Sequence, residues 1–146
     1  MPAIADSARE LLEQCACTRV RTAARLVTRA YDEVLRPAGL GASQLAVLAA
    51  VAAGKEASIA GLSKVLCMDR TTLSRNLKPL VAQRLVTLTE SGIGRSKAVR
   101  ITSAGAAKLK EAVPLWRKAQ IALAQQAGDR HLAALNDQLV QLISTY

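Results

Sequence analysis

"CMDRTTLSRNLKPL", residues 67–80, decides the fold. It packs two arginines, a lysine and four small hydroxyl or amide side chains into little more than three helical turns. Leu73, Leu77 and Leu80 recur at helical spacing and keep one side of that helix dry. Arg70, Thr71, Thr72, Ser74, Arg75, Asn76 and Lys78 are left on the outward side. A face of this make-up is either a solvated surface or one built for a nucleic acid groove.

Working outward, Asp69 stands where a helix cap belongs, and its charge complements the positive helix end. Upstream, Ser58 caps a short helix running to about Leu66, so "CMD" is the tight turn of a helix-turn-helix. Downstream the period changes from helical to alternating. "LVTLTE" (85–90) puts Val86 and Leu88 on one side, and "AVRIT" (98–102) does the same with Val99 and Ile101. The intervening "SGIGRSK" (91–97) supplies two turn glycines and two cations, Arg95 and Lys97. A hairpin with a basic tip is a wing.

Long helices flank this unit. Ser7 with Glu10 reads as a capping box for a first helix reaching about Arg36, where Pro37 and Gly39 stop it. Ser43 is the expected cap of a second helix, from Gln44 to about Ala53. Thr102 caps a long helix from Ser103, with a bend expected at Pro114, and Asp129 caps a last one to about Ser144. The last helix carries Leu132, Leu135, Leu139, Leu142 and Ile143, a stripe with no partner inside a winged helix. Pairing of the terminal arms across a two-fold axis is therefore expected. The organisation reads as an arm (1–36), a DNA-binding lobe (37–102) and a second arm (103–146), one structural domain per chain. The expected fold class is mainly α, a winged helix-turn-helix with a small β-hairpin wing flanked by dimerisation helices.

Composition narrows the function. Apolar residues make up 51% of 146 positions, ample for a core, but with no Phe, one Trp and two Tyr there is no aromatic platform for single strands. The formal charge is +9. Between Ser58 and Arg100, eight basic residues face two acidic ones, so the middle of the chain carries +6 of that charge. A solubility tail sits at a terminus; this concentration suits a polyanion.

The longest apolar run, Leu45–Ala53, is about half the length a bilayer needs. With three cysteines, an odd number, the chain reads as cytoplasmic with reduced thiols. Enzyme chemistry lacks its parts: one histidine, His131, no glycine-rich phosphate loop, and adjacent carboxylates Asp32 and Glu33 that diverge on a helix. No catalytic set, metal site or cofactor is expected. The competing reading is a winged helix used as a protein-interaction module, against which the cationic cluster weighs.

The order of parts resembles the MarR family of bacterial winged helix-turn-helix regulators. The resemblance lies in "RPAGLGASQLAVLAAV" (36–51), "LSKVLCMDRTTLSRNLKPLVAQRLV" (62–86) and "GRSKAVRITSAG" (94–105), and spans about Ala24 to Lys110. It implies a homodimeric DNA-binding regulator on a pseudo-palindromic operator, with the recognition helix in the major groove. Thr71, Thr72, Ser74, Arg75 and Asn76 would then lie nearest bases or phosphates, Arg75 being suited to guanine and Arg70 and Lys78 to phosphates. Arg95 and Lys97 would probe the minor groove. Two departures stand out. The acid the family places two residues before the wing arginine is Ile93, and its glycine after the recognition helix is Arg84, which costs about 1 kcal/mol if left-handed.

Cys15 and Cys17 point to nearly opposite sides of a continuous helix, so a metal chelate or local disulfide there requires unwinding. Cys67 is expected to fill a small buried gap. The peroxide-sensing branch of the family carries a cysteine at the position of Cys17, 27 residues before Gln44. Tyr31 matches one of its thiolate-supporting tyrosines, while the other two positions are Arg21 and Ala42. Arg21 lies one turn from Cys17, where a guanidinium favours a thiolate. Against this stands an inert cysteine in an alanine-rich helix. Arg21, Arg25 and Arg29 form a stripe that is either solvated or, as the family's binding of aromatic acids implies, holds an effector carboxylate. The functional expectation is a repressor released by a small phenolic or carboxylate effector or by thiol oxidation.

Overall fold

The computed structural model describes residues 2–54, 58–90 and 97–145. Seven helices and one hairpin follow in order among them: α1 (Pro2–Gln14), α2 (Ala16–Leu35), α3 (Ala42–Ala52), α4 (Ile59–Val65), α5 (Arg70–Ala82), β1 (Val86–Glu90), β2 (Lys97–Ile101), α6 (Ser103–Ala127) and α7 (Asp129–Ser144). A 3₁₀ turn, Arg36–Ala38, closes on Gly39, whose left-handed φ of 67° lets its N–H reach Arg36 O. The fold is the mainly α winged helix-turn-helix that the sequence predicts.

The first helix departs from expectation. It starts at Pro2, so Ser7 lies inside it rather than capping it, because residues 2–6 contain nothing to break a helix and proline suits the first helical position. It also breaks at Cys15, whose ψ of 110° is extended. Arg19 reaches back across the break and donates from Nε to the Glu13 carbonyl at 2.6 Å, with its Nη2 donating to the same oxygen. That guanidinium takes over a carbonyl that the interruption frees.

Two further caps differ. The α3 N-cap is Gly41, not Ser43: Gln44 Oε1 accepts from Gly41 N–H, and Asp32 Oδ1, arriving from α2, accepts from Ala42 N–H. Gly128, at φ 86°, precedes α7, and Asp129 is its first residue, still placed to complement the helix end. Ser58, Asp69 and Thr102 cap as the sequence predicts, each accepting the N–H of the residue three positions on.

The core lies where α2, α3, α5, β1, β2 and α6 converge. Leu35, Leu48, Leu62, Leu73, Leu80, Val86 and Val99 are fully buried there, and burying each such side chain is worth about 1.5–3 kcal/mol. The strands pair antiparallel from Val86↔Ile101 to Glu90↔Lys97, and a single bridge from Ser58 to Ala98 ties the start of α4 to the wing. Outside the core, α1 exposes Ile4, Leu11 and Leu12, and α7 exposes Leu135, Val140, Leu142 and Ile143. No residue of α7 is buried. Among the described residues no single helix is long and apolar enough to cross a membrane.

Candidate nucleic-acid interface

The recognition helix is fixed at both ends. At its start, the Asp69 carboxylate accepts from Thr72 N–H at 2.8 Å and from the Thr72 hydroxyl at 2.6 Å. Those bonds, the hydroxyl's first, hold the Asp69 carboxyl below its ordinary value. At its end, Arg84 takes φ 57° and Leu85 N–H reaches back to Leu80 O, a Schellman closure with arginine where glycine is usual. Pro79 sits inside the helix and donates nothing, so the Arg75 carbonyl has no partner one turn on.

Between these anchors the helix divides cleanly. Leu73, Leu77 and Leu80 are buried, whereas Thr71, Ser74, Arg75 and Lys78 are exposed at i, i+3, i+4 and i+7, a single stripe. Arg70 is exposed at the helix's first position. Thr72 and Asn76 are half-buried and already engaged: the Thr72 hydroxyl donates to Asp69, and the Asn76 amide donates to Thr72 O at 3.0 Å. Among the described residues, five side chains are thus without a hydrogen bond, and two hold the helix together. The two ion pairs among the described residues, Arg9–Asp6 and Lys108–Glu111, lie elsewhere, so Arg70, Arg75 and Lys78 have no carboxylate partner among those residues. Lys97 is exposed at the start of β2, beside a shallow pocket it shares with Ser74 and Lys78. Arg95 and Ile93 lie outside the described residues.

Cys67, in the turn before the helix, is exposed rather than buried. It adopts φ 49°, and its Sγ donates to Lys64 O, while Leu66 and Met68 on either side pack against the core. The left-handed turn points the cysteine outward because its neighbours take the inward positions.

The candidate sensing residues are spread along α2. Cys17 is exposed, and no hydrogen bond among the described residues joins it to Arg21. Tyr31 is 14 residues further on, about 21 Å by helical rise, so it cannot support that thiol within one chain. Its hydroxyl instead donates to Gln120 Oε1 on α6, and burial pushes its pKa up. Arg21 and Arg25 are exposed, with Arg25 donating to the Thr22 hydroxyl. A cavity of about 480 Å³ opens between α2, α3 and α6, lined by Tyr31, Leu35, Leu45, Leu109, Val113, Trp116 and three alanines. Neither arginine is among its lining residues.

Cys15, read in the sequence as a helical residue, is the N-cap of α2. The Thr18 hydroxyl and then the Thr18 N–H hold its thiol below the ordinary 9.0, against a smaller opposing effect of desolvation. No spacing rule marks it, because the sequence around the break carries no glycine or proline.

A capped, cationic helix held against a hairpin defines a winged helix-turn-helix protein. Residues 38–94 match the model of the MarR family. Structural relatives agree. The transcriptional regulator MosR of M. tuberculosis in complex with DNA is 32% identical, with 90% of this chain and 96% of that chain covered at a TM-score of 0.80. A second crystal structure of M. tuberculosis MosR is 33% identical, with 92% and 99% covered at 0.77. CouR from Rhodococcus jostii RHA1, bound to p-coumaroyl-CoA, shares the fold at 19% identity, with 90% and 94% covered at 0.74. No curated protein matches in sequence. The chain belongs to the MarR family of DNA-binding transcription regulators.

Proposed function

We propose that the protein is a homodimeric repressor that holds a pseudo-palindromic operator through α5 and the wing, and lets go when its arms are perturbed. The observation that carries the DNA reading is the stripe Thr71, Ser74, Arg75 and Lys78, exposed on a helix whose opposite face is fully buried. Arg75 reads a base edge, Arg70, Lys78 and Lys97 hold phosphates, and Thr71 and Ser74 fit beside either. Thr72 and Asn76 act by holding the helix. Arg95 completes the wing contact in the adjacent minor groove.

Residues 37–102 form the reading lobe, and the segments 1–36 and 103–146 pair two copies. The exposed apolar faces of α1 and α7 support that pairing, since a second copy buries them. The pairing fixes the separation of the two recognition helices, and half-sites one turn apart follow. Any ligand that favours another arm geometry lowers affinity for such a site.

The cavity under α2 supports a small, uncharged phenolic effector rather than a carboxylate. Its lining is apolar apart from Tyr31, and no cation reaches it from the described residues. The test is fluorescence anisotropy of the full chain on the duplex upstream of its own gene, titrated across salt. Binding whose logarithm falls linearly with the logarithm of salt supports the reading. Equal binding to unrelated duplexes, or none at low salt, overturns it.

A further inference from the structure

We propose that Lys78 and Lys97 close on one and the same phosphate of the operator, whose sugar rests on an aliphatic floor between the recognition helix and the wing. This deepens the DNA reading above and rests on it. What it adds is a single seat, built by two elements, in place of two independent contacts.

A shallow pocket of about 310 Å³ lies between α5 and the hairpin, and Ser74, Lys78 and Lys97 line it together. Ser74 and Lys78 are one turn apart and belong to the exposed stripe of α5. Whatever fills the pocket therefore lies beside a helix seated in a groove, where the backbone bordering that groove runs.

The floor follows from the sequence. Leu77 and Val81, also one turn apart, lie on α5 between its core face and Lys78, the first buried and the second half-buried. On β1, Leu88 points to the same side as Val86, but the strand has by then run past the core. Val86 is 1% exposed and Leu88 is 38% exposed. Ile59, at the start of α4, completes the floor. A bare ion gains nothing from such a surface, whereas the C–H face of a deoxyribose covers it. A phosphodiester brings charge and apolar surface together, as the pocket does.

The two lysines are held in place. Ala98, next to Lys97, bridges to Ser58, and Ser58 caps α4 immediately before Ile59. Lys78 is fixed by the burial of Leu77 and Leu80 on either side of it. The fold thus brings two ammonium groups to one small pocket, where they repel each other over an apolar floor. An anion between them removes that repulsion. Each ammonium is a compact charge with three donors and can meet a phosphate oxygen from its own side. The Ser74 hydroxyl supplies one donor more. One phosphate held by both elements ties the register of α5 on the bases to the position of the hairpin.

The experiment uses the full chain and the duplex upstream of its own gene, its phosphates replaced one at a time by methylphosphonate, which removes the charge and keeps the sugar. Anisotropy is read for the parent, Lys78→Ala, Lys97→Ala and the double variant. Both lysines are exposed, so the variants should fold, which circular dichroism verifies. The expected result is one phosphate in each half-site whose replacement weakens the parent and leaves both single variants unaffected. The double variant should bind about as well as the weaker single variant, since the pair makes one contact. Its salt slope should fall by about 1 rather than about 2. Leu88→Ala should weaken binding by about 4-fold for each methylene that the sugar covers, with the salt slope unchanged.

Unaffected phosphates at different positions for Lys78→Ala and Lys97→Ala overturn the shared seat, as does a double variant whose losses multiply. Full affinity in Leu88→Ala overturns the sugar floor. A parent protein that binds no duplex strikes the DNA reading itself, and the seat falls with it.

Discussion

Asp32 Oδ1 accepts the Ala42 N–H at 2.7 Å, so the start of α3 is capped by a side chain from α2. The bond joins an arm helix to the lobe that carries the recognition unit. Gly41 makes room for it, since a Cβ there would stand 3.3 Å from the same oxygen. Asp32→Ala removes the acceptor and should cost about 0.5–2 kcal/mol, the usual range for losing a cap. Urea unfolding gives the value. A loss below a few tenths would show that Gln44, bonded to Gly41 N–H, is a sufficient cap alone.

Gly105 closes the other side of the lobe. A Cβ there would overlap the Leu85 carbonyl and come within 2.9 Å of Ile101 Cγ1. The backbone of α6 therefore lies directly on the strand exit, and Gly105→Ala must push them apart. Overpacking of this kind costs about 1–3 kcal/mol or more. A thermal midpoint unchanged from the parent protein would mean that α6 shifts freely.

Arg84 is the reverse case. Its φ of 57° is one that glycine adopts without strain, and its exposed side chain makes no hydrogen bond among the described residues. Arg84→Gly should stabilise the chain by about 1 kcal/mol, seen as a higher urea midpoint at unchanged slope. If affinity for DNA falls while stability rises, the arginine is retained for its charge.

The Asp69 cap makes the recognition helix sensitive to acid. Its folded pKa lies below the ordinary 3.8, so its contribution is present above that value and is lost as pH falls through the folded pKa. Thr72→Val removes the larger of the stabilising bonds and should shrink that acid-dependent loss. Amide exchange at the start of α5, followed on both proteins down through pH 4 and below, checks it. Identical pH profiles would assign the effect elsewhere.

These cases show what was legible in the chain. The recognition helix could be read because its cap, its buried leucines and its exposed stripe all lie within one segment, between Asp69 and Leu80. The wing strands and the Thr102 cap were legible for the same local reason. Asp32 was not, because its partner is ten residues away on another helix, and in sequence it pairs only with Glu33. The break at Cys15 was hidden too: no glycine or proline marks it, and Arg19 spans it by reaching back six residues, which periodicity does not record. The cavity forms from three helices at once, so the stripe Arg21, Arg25 and Arg29 drew attention to a face that does not line it.

Arg75 and Lys78 lie on the same exposed stripe, and their roles separate by what each side chain can do. A guanidinium can offer two parallel donors to guanine O6 and N7, whereas an ammonium is a point charge suited to phosphate. Arg75→Ala should therefore weaken operator binding by about 1–3 kcal/mol and flatten preference at one base position. Lys78→Ala should weaken all duplexes alike and reduce the salt slope by about 1. Competition binding against single-base operator variants, run at two salt concentrations, distinguishes them. A uniform loss for Arg75→Ala would make it a phosphate contact and move base reading to Thr71 or Ser74.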